Sequence, residues 1–335
     1  MLLRLLGCLL LAAALVDVFA TVLLPSARGL LSRIWVGLLW RAATLLPGRL
    51  SAVTRPAAGP LSIVATIFGW VLLLWVGFAL LYLPDVGELG YSSDVQFQGN
   101  DLVAALYLSG TVLTTLGLGD VAAQTDGLRL LVVFESACGL AVFTAALGYL
   151  PAIYTVVTEL RVCVEAVADL QVTSGQRAVE VLDENAVMTL EAVRRDVIAA
   201  RQHLLRFPVL HWFLPPSGQS VMVLVEGASL LWLAARLGYG AERHPAVQRH
   251  AVSLELALRR LVEDTQRQVG GAPTDEGREL ARQQVERVRE AVRDLDPERA
   301  AGEQPPDEAI DDLARVHAVL VRYADAHGYD RPSVV

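Results

Sequence analysis

Long apolar runs fill the first 160 residues of this chain, and short apolar stretches broken by charges fill the remaining 175. Met1–Leu24 is apolar apart from Arg4 and Asp17. Leu61–Leu83 is 23 residues without a charge, long enough to cross a bilayer as a helix. Leu128–Thr158 is apolar over about 30 residues, interrupted by Arg129 and Glu135, and can cross at a tilt. Asp101–Leu113 is apolar but too short to span, which suits a segment that enters the membrane and returns. Between the first two runs, Leu30, Leu31, Ile34, Trp35, Leu38 and Leu39 share one helical face with Arg33 and Arg41 off it. That pattern predicts a helix lying in the membrane interface or packed on the chain's own cytosolic part.

From Glu159 onward the pattern reads as successive helices. One is expected from about Leu160 to Leu205, ended by the prolines of Phe207–Gly218. Others are expected near Pro245–Val269, Asp275–Leu295 and Asp307–His327, with Gly270-Gly271 and Pro305-Pro306 as punctuation. Ser220–Arg236 is apolar enough to resemble another span, but Glu226 interrupts it and a crossing there would export the charged tail. It is expected as the buried helix of a soluble bundle.

Charge then orients the chain. Ser26–Pro60 carries five Arg and no acid, which places it in the cytosol under the positive-inside rule. Pro84–Asp101 carries four acids and no Arg, and reads as external. The expected topology is N-terminus outside, three crossings, C-terminus in the cytosol, in the plasma membrane. The first run has Val18-Phe19-Ala20 as a passable cleavage site, yet Asp17 precedes it and apolarity continues through Thr21–Leu24, so it is expected as a retained span. Too little apolar sequence precedes Cys8 for a lipoprotein signal.

Composition removes other classes. Mean hydropathy is +0.44 and 54% of residues are hydrophobic, more than a soluble protein carries. The net charge is −8, with 27 acids against 21 Arg from residue 161 onward, which argues against nucleic-acid binding. All basic residues other than His are Arg, read as a bias of genome composition. Cys8, Cys138 and Cys163 suggest no disulfide framework. The tail has no G-x-G-x-x-G, and the chain has no Walker motif, H-E-x-x-H or G-x-S-x-G. Its six histidines show no metal-ligand spacing, so neither an enzyme nor a cofactor is expected.

The chemistry lies in Thr114-Thr115-Leu116-Gly117-Leu118-Gly119-Asp120, between the short segment and the third run. Backbone carbonyls can replace a cation's water shell if successive ones face one axis. That demands unusual backbone angles at alternate residues, which Gly117 and Gly119 accept because they lack a Cβ. The loop resembles the selectivity filter of the potassium-channel pore family. Together with the run from Asp17 through Phe19 to Val22 and with Phe143-Thr144-Ala145-Ala146, it resembles a group of bacterial pore-loop channels with one added N-terminal span. Those filters often carry Phe where this chain has Leu118.

The resemblance implies an all-α membrane protein with a span–pore helix–span channel module, one N-terminal span and a helical cytosolic domain. Its expected parts are an N-terminal span (1–25), an Arg-rich cytosolic loop (26–60), a pore domain (61–160) and a cytosolic domain (161–335). The pore domain divides into outer helix 61–83, pore helix 101–113, filter 114–120 and inner helix 128–158. It implies a passive, potassium-conducting homotetramer, with K+ at the carbonyls of Thr115, Leu116, Gly117 and Leu118 and the Thr115 hydroxyl below them. The alternatives are a weakly selective cation pore, or a membrane-anchored sensor or scaffold whose loop is vestigial. Gly139, 19 residues after Asp120, is a candidate hinge or a packing glycine. Glu135 is expected to bond the back of the pore helix, where Ser109 and Thr111 offer hydroxyls. Asp17 is expected to pack inside the membrane, paired with Thr144, Tyr149 or an Arg. The expected partners are lipid, other copies of the chain, and an unknown ligand of the cytosolic helices.

Overall fold

The computed structural model describes residues 1–22, 29, 34–35, 37–38, 41–42, 48–92, 100–212, 220–239, 244–270, 272–295 and 307–327. They are almost wholly helical and cluster into two units, Met1–Tyr154 and Thr155–Val335. The interfacial helix expected around Leu30–Leu39 and the Pro305-Pro306 break fall largely outside the described residues.

In the first unit α1 (Leu2–Val22) packs on α2 (Gly48–Tyr82). Small residues bring the two backbones together: a Cβ on Gly7 would stand 2.7 Å from the Gly77 carbonyl oxygen, and one on Gly77 would stand 2.9 Å from Leu11. Trp70, Leu74, Phe78 and Tyr82 recur every four residues along α2 and are fully buried. That stripe gathers Leu11 and Ala14 of α1, Ala104, Ala105 and Leu108 of α3 (Asp101–Leu113), and Cys138 and Val142 of α4 (Asp126–Ala168). A 3-10 turn, Leu83–Glu88, leads from α2 into β1 (Leu89–Tyr91), which pairs antiparallel with β2 (Val121–Ala123) just after the filter-like loop. Asn100 caps α3 by accepting from the Val103 amide at 3.2 Å, and Asp101 supplies a favourable negative charge in its first turn.

Two boundaries differ from the expectation. The loop expected to last until residue 60 turns helical at Gly48, through Pro56 and Pro60. Proline costs a membrane helix one bond without ending it where nearby groups satisfy the freed backbone; just past Pro60, Ser62 Oγ donates to the Gly59 carbonyl at 2.6 Å. The single helix expected from Leu160 to Leu205 is two. α4 runs on to Ala168, and α5 (Gly175–Arg206) begins after a turn with Gln171 at φ 53°. Ser174 caps α5, accepting from the Arg177 amide. Gly175 then lets the chain approach Val288, which an added Cβ would meet at 2.8 Å.

The second unit is a bundle of α5, α6 (Val221–Gly238), α7 (Pro245–Val269), α8 (Asp275–Leu295) and α9 (Asp307–His327). Four described helices are long and apolar enough to cross a membrane, and α6 is one of them. It lies among α5, α7, α8 and α9 with most of its residues buried. Trp232 Nε1 donates to Glu255 of α7 at 3.1 Å, and the hydroxyl of Tyr239, just after α6, donates to the Leu182 carbonyl of α5 at 3.0 Å. Arg201–Asp264 and Arg259–Asp312 ion pairs, at 2.7 and 2.6 Å, tie α5 to α7 and α7 to α9.

Candidate functional site

The residues that follow α3 alternate in hand. Thr115, Gly117 and Gly119 have φ of 56°, 53° and 76°, while Leu116 and Leu118 keep φ negative. Alternating left- and right-handed residues turn the amides to one side of a chain, and so turn the carbonyls to the other. The amide side is anchored, since the Leu116 and Gly117 N–H groups both donate to the Thr111 carbonyl, at 2.8 and 3.1 Å. The two glycines were legible as the positions able to take these angles. Thr115 was not, because a β-branched residue at positive φ is an outlier that no propensity suggests.

Space around the loop is open. None of the described residues comes within 4 Å of a Cβ built on Gly117 or Gly119, and the Leu116 and Leu118 side chains are 63% and 58% exposed. At its start, α2, the end of α3 and α4 line a partly open cavity of about 380 Å³, with Leu113, Thr114, Thr115, Phe143 and Ala146 among its walls. Two members of the Phe143–Ala146 stretch therefore face that space.

The C-terminal end of the loop is held from three directions. Tyr107 of α3 donates its hydroxyl to Asp120 Oδ2 at 2.5 Å, the Val121 amide donates to Oδ1 at 3.0 Å, and the Ser92 amide donates to the Asp120 carbonyl at 2.9 Å. Tyr107 went unread as a partner of Asp120, although the two residues lie only 13 positions apart.

Glu135 of α4 is fully buried behind α3. Its carboxylate accepts from Ser109 Oγ at 2.5 Å and from the Tyr82 hydroxyl at 2.7 Å, so three helices meet on one side chain. Thr111, the other expected donor, bonds the Leu108 carbonyl instead. Trp75 adds a further tie from α2, donating from Nε1 to the Leu106 carbonyl at 2.8 Å. Gly139 lies where α4 crosses the end of α3: an added Cβ would sit 2.1 Å from the Leu113 carbonyl oxygen. What its position shows is a close approach of backbones.

Asp17 is buried between α1 and α2, accepting from Trp70 Nε1 at 2.7 Å. Of its expected partners, Thr144 donates to Leu140 within its own helix, and Tyr149 sets its ring 6.5 Å from that of Trp70. Trp70 went unread because its polar edge is one N–H on a large apolar ring, lost in an apolar run. Among the described residues no three His, Cys, Asp or Glu side chains gather as metal ligands would.

Residues 61–155 match the model of a family described as ion channel, Ion_trans_2. The uncharacterized membrane protein YdjJ of Bacillus subtilis is 30% identical over 168 residues, which are 49% of this chain and 48% of that protein. The match thus spans about half the length of this curated relative. No solved structure matches the chain. Fold and family together define the class: an all-α, multi-pass membrane protein with an ion-channel domain at residues 61–155. Within that class, the segment carrying Thr114–Asp120 lies inside the residues that match the ion-channel family. The matched family is one of ion channels, not of enzymes.

Proposed function

We propose that the protein is a passive potassium channel whose ion path is lined by the carbonyls of Thr115, Leu116, Gly117 and Leu118, with the Thr115 hydroxyl beneath. The observation that carries this reading is the alternation of backbone hand at Thr115, Gly117 and Gly119 in a loop whose leucines the chain itself leaves uncovered. One chain supplies one such wall. A closed ring needs copies related by rotation, and a fourfold homotetramer is the assembly proposed. Lipid and other copies of the chain are its partners, and the bound ions are cargo. In this reading the N-terminus and the turn at Leu83–Glu88 are external, the helical bundle is cytosolic, and the membrane is the plasma membrane.

A second reading, a weakly selective cation pore, is favoured by one observation. The Tyr107 hydroxyl is engaged by Asp120 and not by the filter wall, and the Leu118 side chain is 58% exposed among the described residues. A scaffold with a vestigial loop fits less well, because the left-handed positions that conduction needs are kept.

The deciding measurement uses the full chain in planar bilayers under bi-ionic potassium and sodium. A reversal potential well away from zero, toward potassium, supports the first reading. A value near zero supports the second, and no cation current with folded protein removes both. The orientation is tested with single cysteines in a cysteine-free background. Glu88→Cys should react with an impermeant thiol reagent added outside intact cells, and Met188→Cys should not.

A further inference from the structure

We infer that Arg4, in the first turn of α1, is a positioning residue for the outer end of the filter-like loop, which it holds through Asp85. This inference rests on reading Thr114–Asp120 as the ion path. The guanidinium Nη2 donates to both carboxylate oxygens of Asp85, at 2.6 and 2.7 Å. Asp85 is the one residue of the Leu83–Glu88 turn whose backbone leaves the helical region, at φ −115° and ψ 19°. The ion pair therefore grips the turn at its bend.

From that bend the connection to the loop is continuous. The next residue, Val86, is buried in the core of the unit, and its carbonyl accepts from the Tyr91 hydroxyl at 3.3 Å. Glu88 accepts from the Gln124 amide at 3.3 Å, and Leu89, Gly90 and Tyr91 pair with Ala123, Ala122 and Val121. The Ser92 amide then donates to the carbonyl of Asp120, the last residue of the loop. At the other end of the path, α1 is fixed against α2 by the close Gly7–Gly77 crossing, so Arg4 is carried by a rigid support. An Arg at an external helix end also runs against the usual placement of positive charge, and a forked bond to a carboxylate is a specific use for it there.

The inference gives α1 a task that a two-span pore module lacks: it braces the hairpin that flanks the filter exit. The test compares the full-length wild type with Arg4→Gln, Asp85→Asn, and the exchanged pair Arg4→Asp with Asp85→Arg. Two quantities are read, the bi-ionic potassium-to-sodium permeability ratio and hydrogen exchange at the Ser92 and Gln124 amides. Each single variant should lower the ratio, and speed exchange at those two amides, about two- to fivefold, the range open to an exposed ion pair. Exchange in α6 should stay unchanged, and the exchanged pair should recover both quantities. Unchanged permeation and unchanged exchange in the single variants would overturn the inference. So would a rise in exchange throughout the first unit, which would make Arg4 a general support of the fold. A wild type that passes no cation overturns the channel reading and with it any effect of Arg4 on permeation; the exchange measurement needs no current and decides the tether by itself.

Discussion

Gly119 has room for a side chain and no conformation for one. None of the described residues lies near its missing Cβ, but its φ is 76°, which penalises any L side chain by about 1–2 kcal/mol. Gly119→Ala should therefore fold and assemble normally while losing conduction, because in the proposed ring the penalty recurs in every copy. Normal currents from the purified variant would remove the role given to this backbone. Glu135 makes the opposite case, where contacts decide and conformation does not. Glu135→Ala orphans the Tyr82 hydroxyl but not Ser109, whose Oγ also lies 2.9 Å from the Trp75 carbonyl. The expected loss is about 1–3 kcal/mol, the usual penalty for one buried unpaired polar group together with its lost partner. Adding Tyr82→Phe should return part of it in thermal melts, and strict additivity of the two changes would deny that they share a bond. Ser109 was legible as a partner of Glu135 because α3 was recognisable as a short helix with hydroxyls behind it. Tyr82 lies 53 residues from Glu135, and no local pattern joins them.

Two glycines of α4 separate packing from propensity at the scale of the element. Gly139→Ala drives a Cβ onto the Leu113 carbonyl oxygen, a backbone atom that cannot swing aside. Overpacking of this kind costs typically about 1–3 kcal/mol, and here it pushes α4 away from the residues that carry the loop. Gly148 has none of the described residues within 4 Å of an added Cβ, so Gly148→Ala should be neutral or stabilising by up to about 1 kcal/mol. The melting temperature should fall in Gly139→Ala and should not fall in Gly148→Ala; equal shifts would remove the close-approach account. Elements with a regular period were readable at this scale. The helices expected at Pro245–Val269, Asp275–Leu295 and Asp307–His327 have those bounds in the structure. The break at 169–174 was not readable, because a Ser cap and one left-handed Gln leave the helical periodicity on either side intact. The early start of α2 was hidden by its prolines, which read as punctuation in water and as kinks in a membrane.

For the molecule as a whole, acidity is a lever on the second unit. His317 is buried between α9 and α8, where its Nε2 donates to Gln284 Oε1 at 2.6 Å. Burial, with Arg287 as a lesser cause, pushes its pKa down to about 4. The unfolded chain takes up this proton near pH 6.5, before the folded one does, so stability is complete above that value and falls as pH drops toward 4. A shift of that size is worth about 3 kcal/mol across the window. Protection of α8 and α9 amides, corrected for intrinsic exchange, should fall between pH 7 and pH 5 in the full chain and fall less in His317→Gln. Equal loss in both would place the sensitivity elsewhere.

The burial of α6 also bears on how the chain is made. As it leaves the ribosome, an 18-residue helix of mean hydropathy 1.6 is, to the insertion machinery, one more membrane segment. Its native neighbours α7, α8 and α9 all lie later in the chain, and only α5 has already been synthesised. Correct topology is thus a race between lateral escape into lipid and capture by a bundle still being translated. Glu226, one turn into α6, and the amphipathic face of α5 before it bias that race toward the bundle.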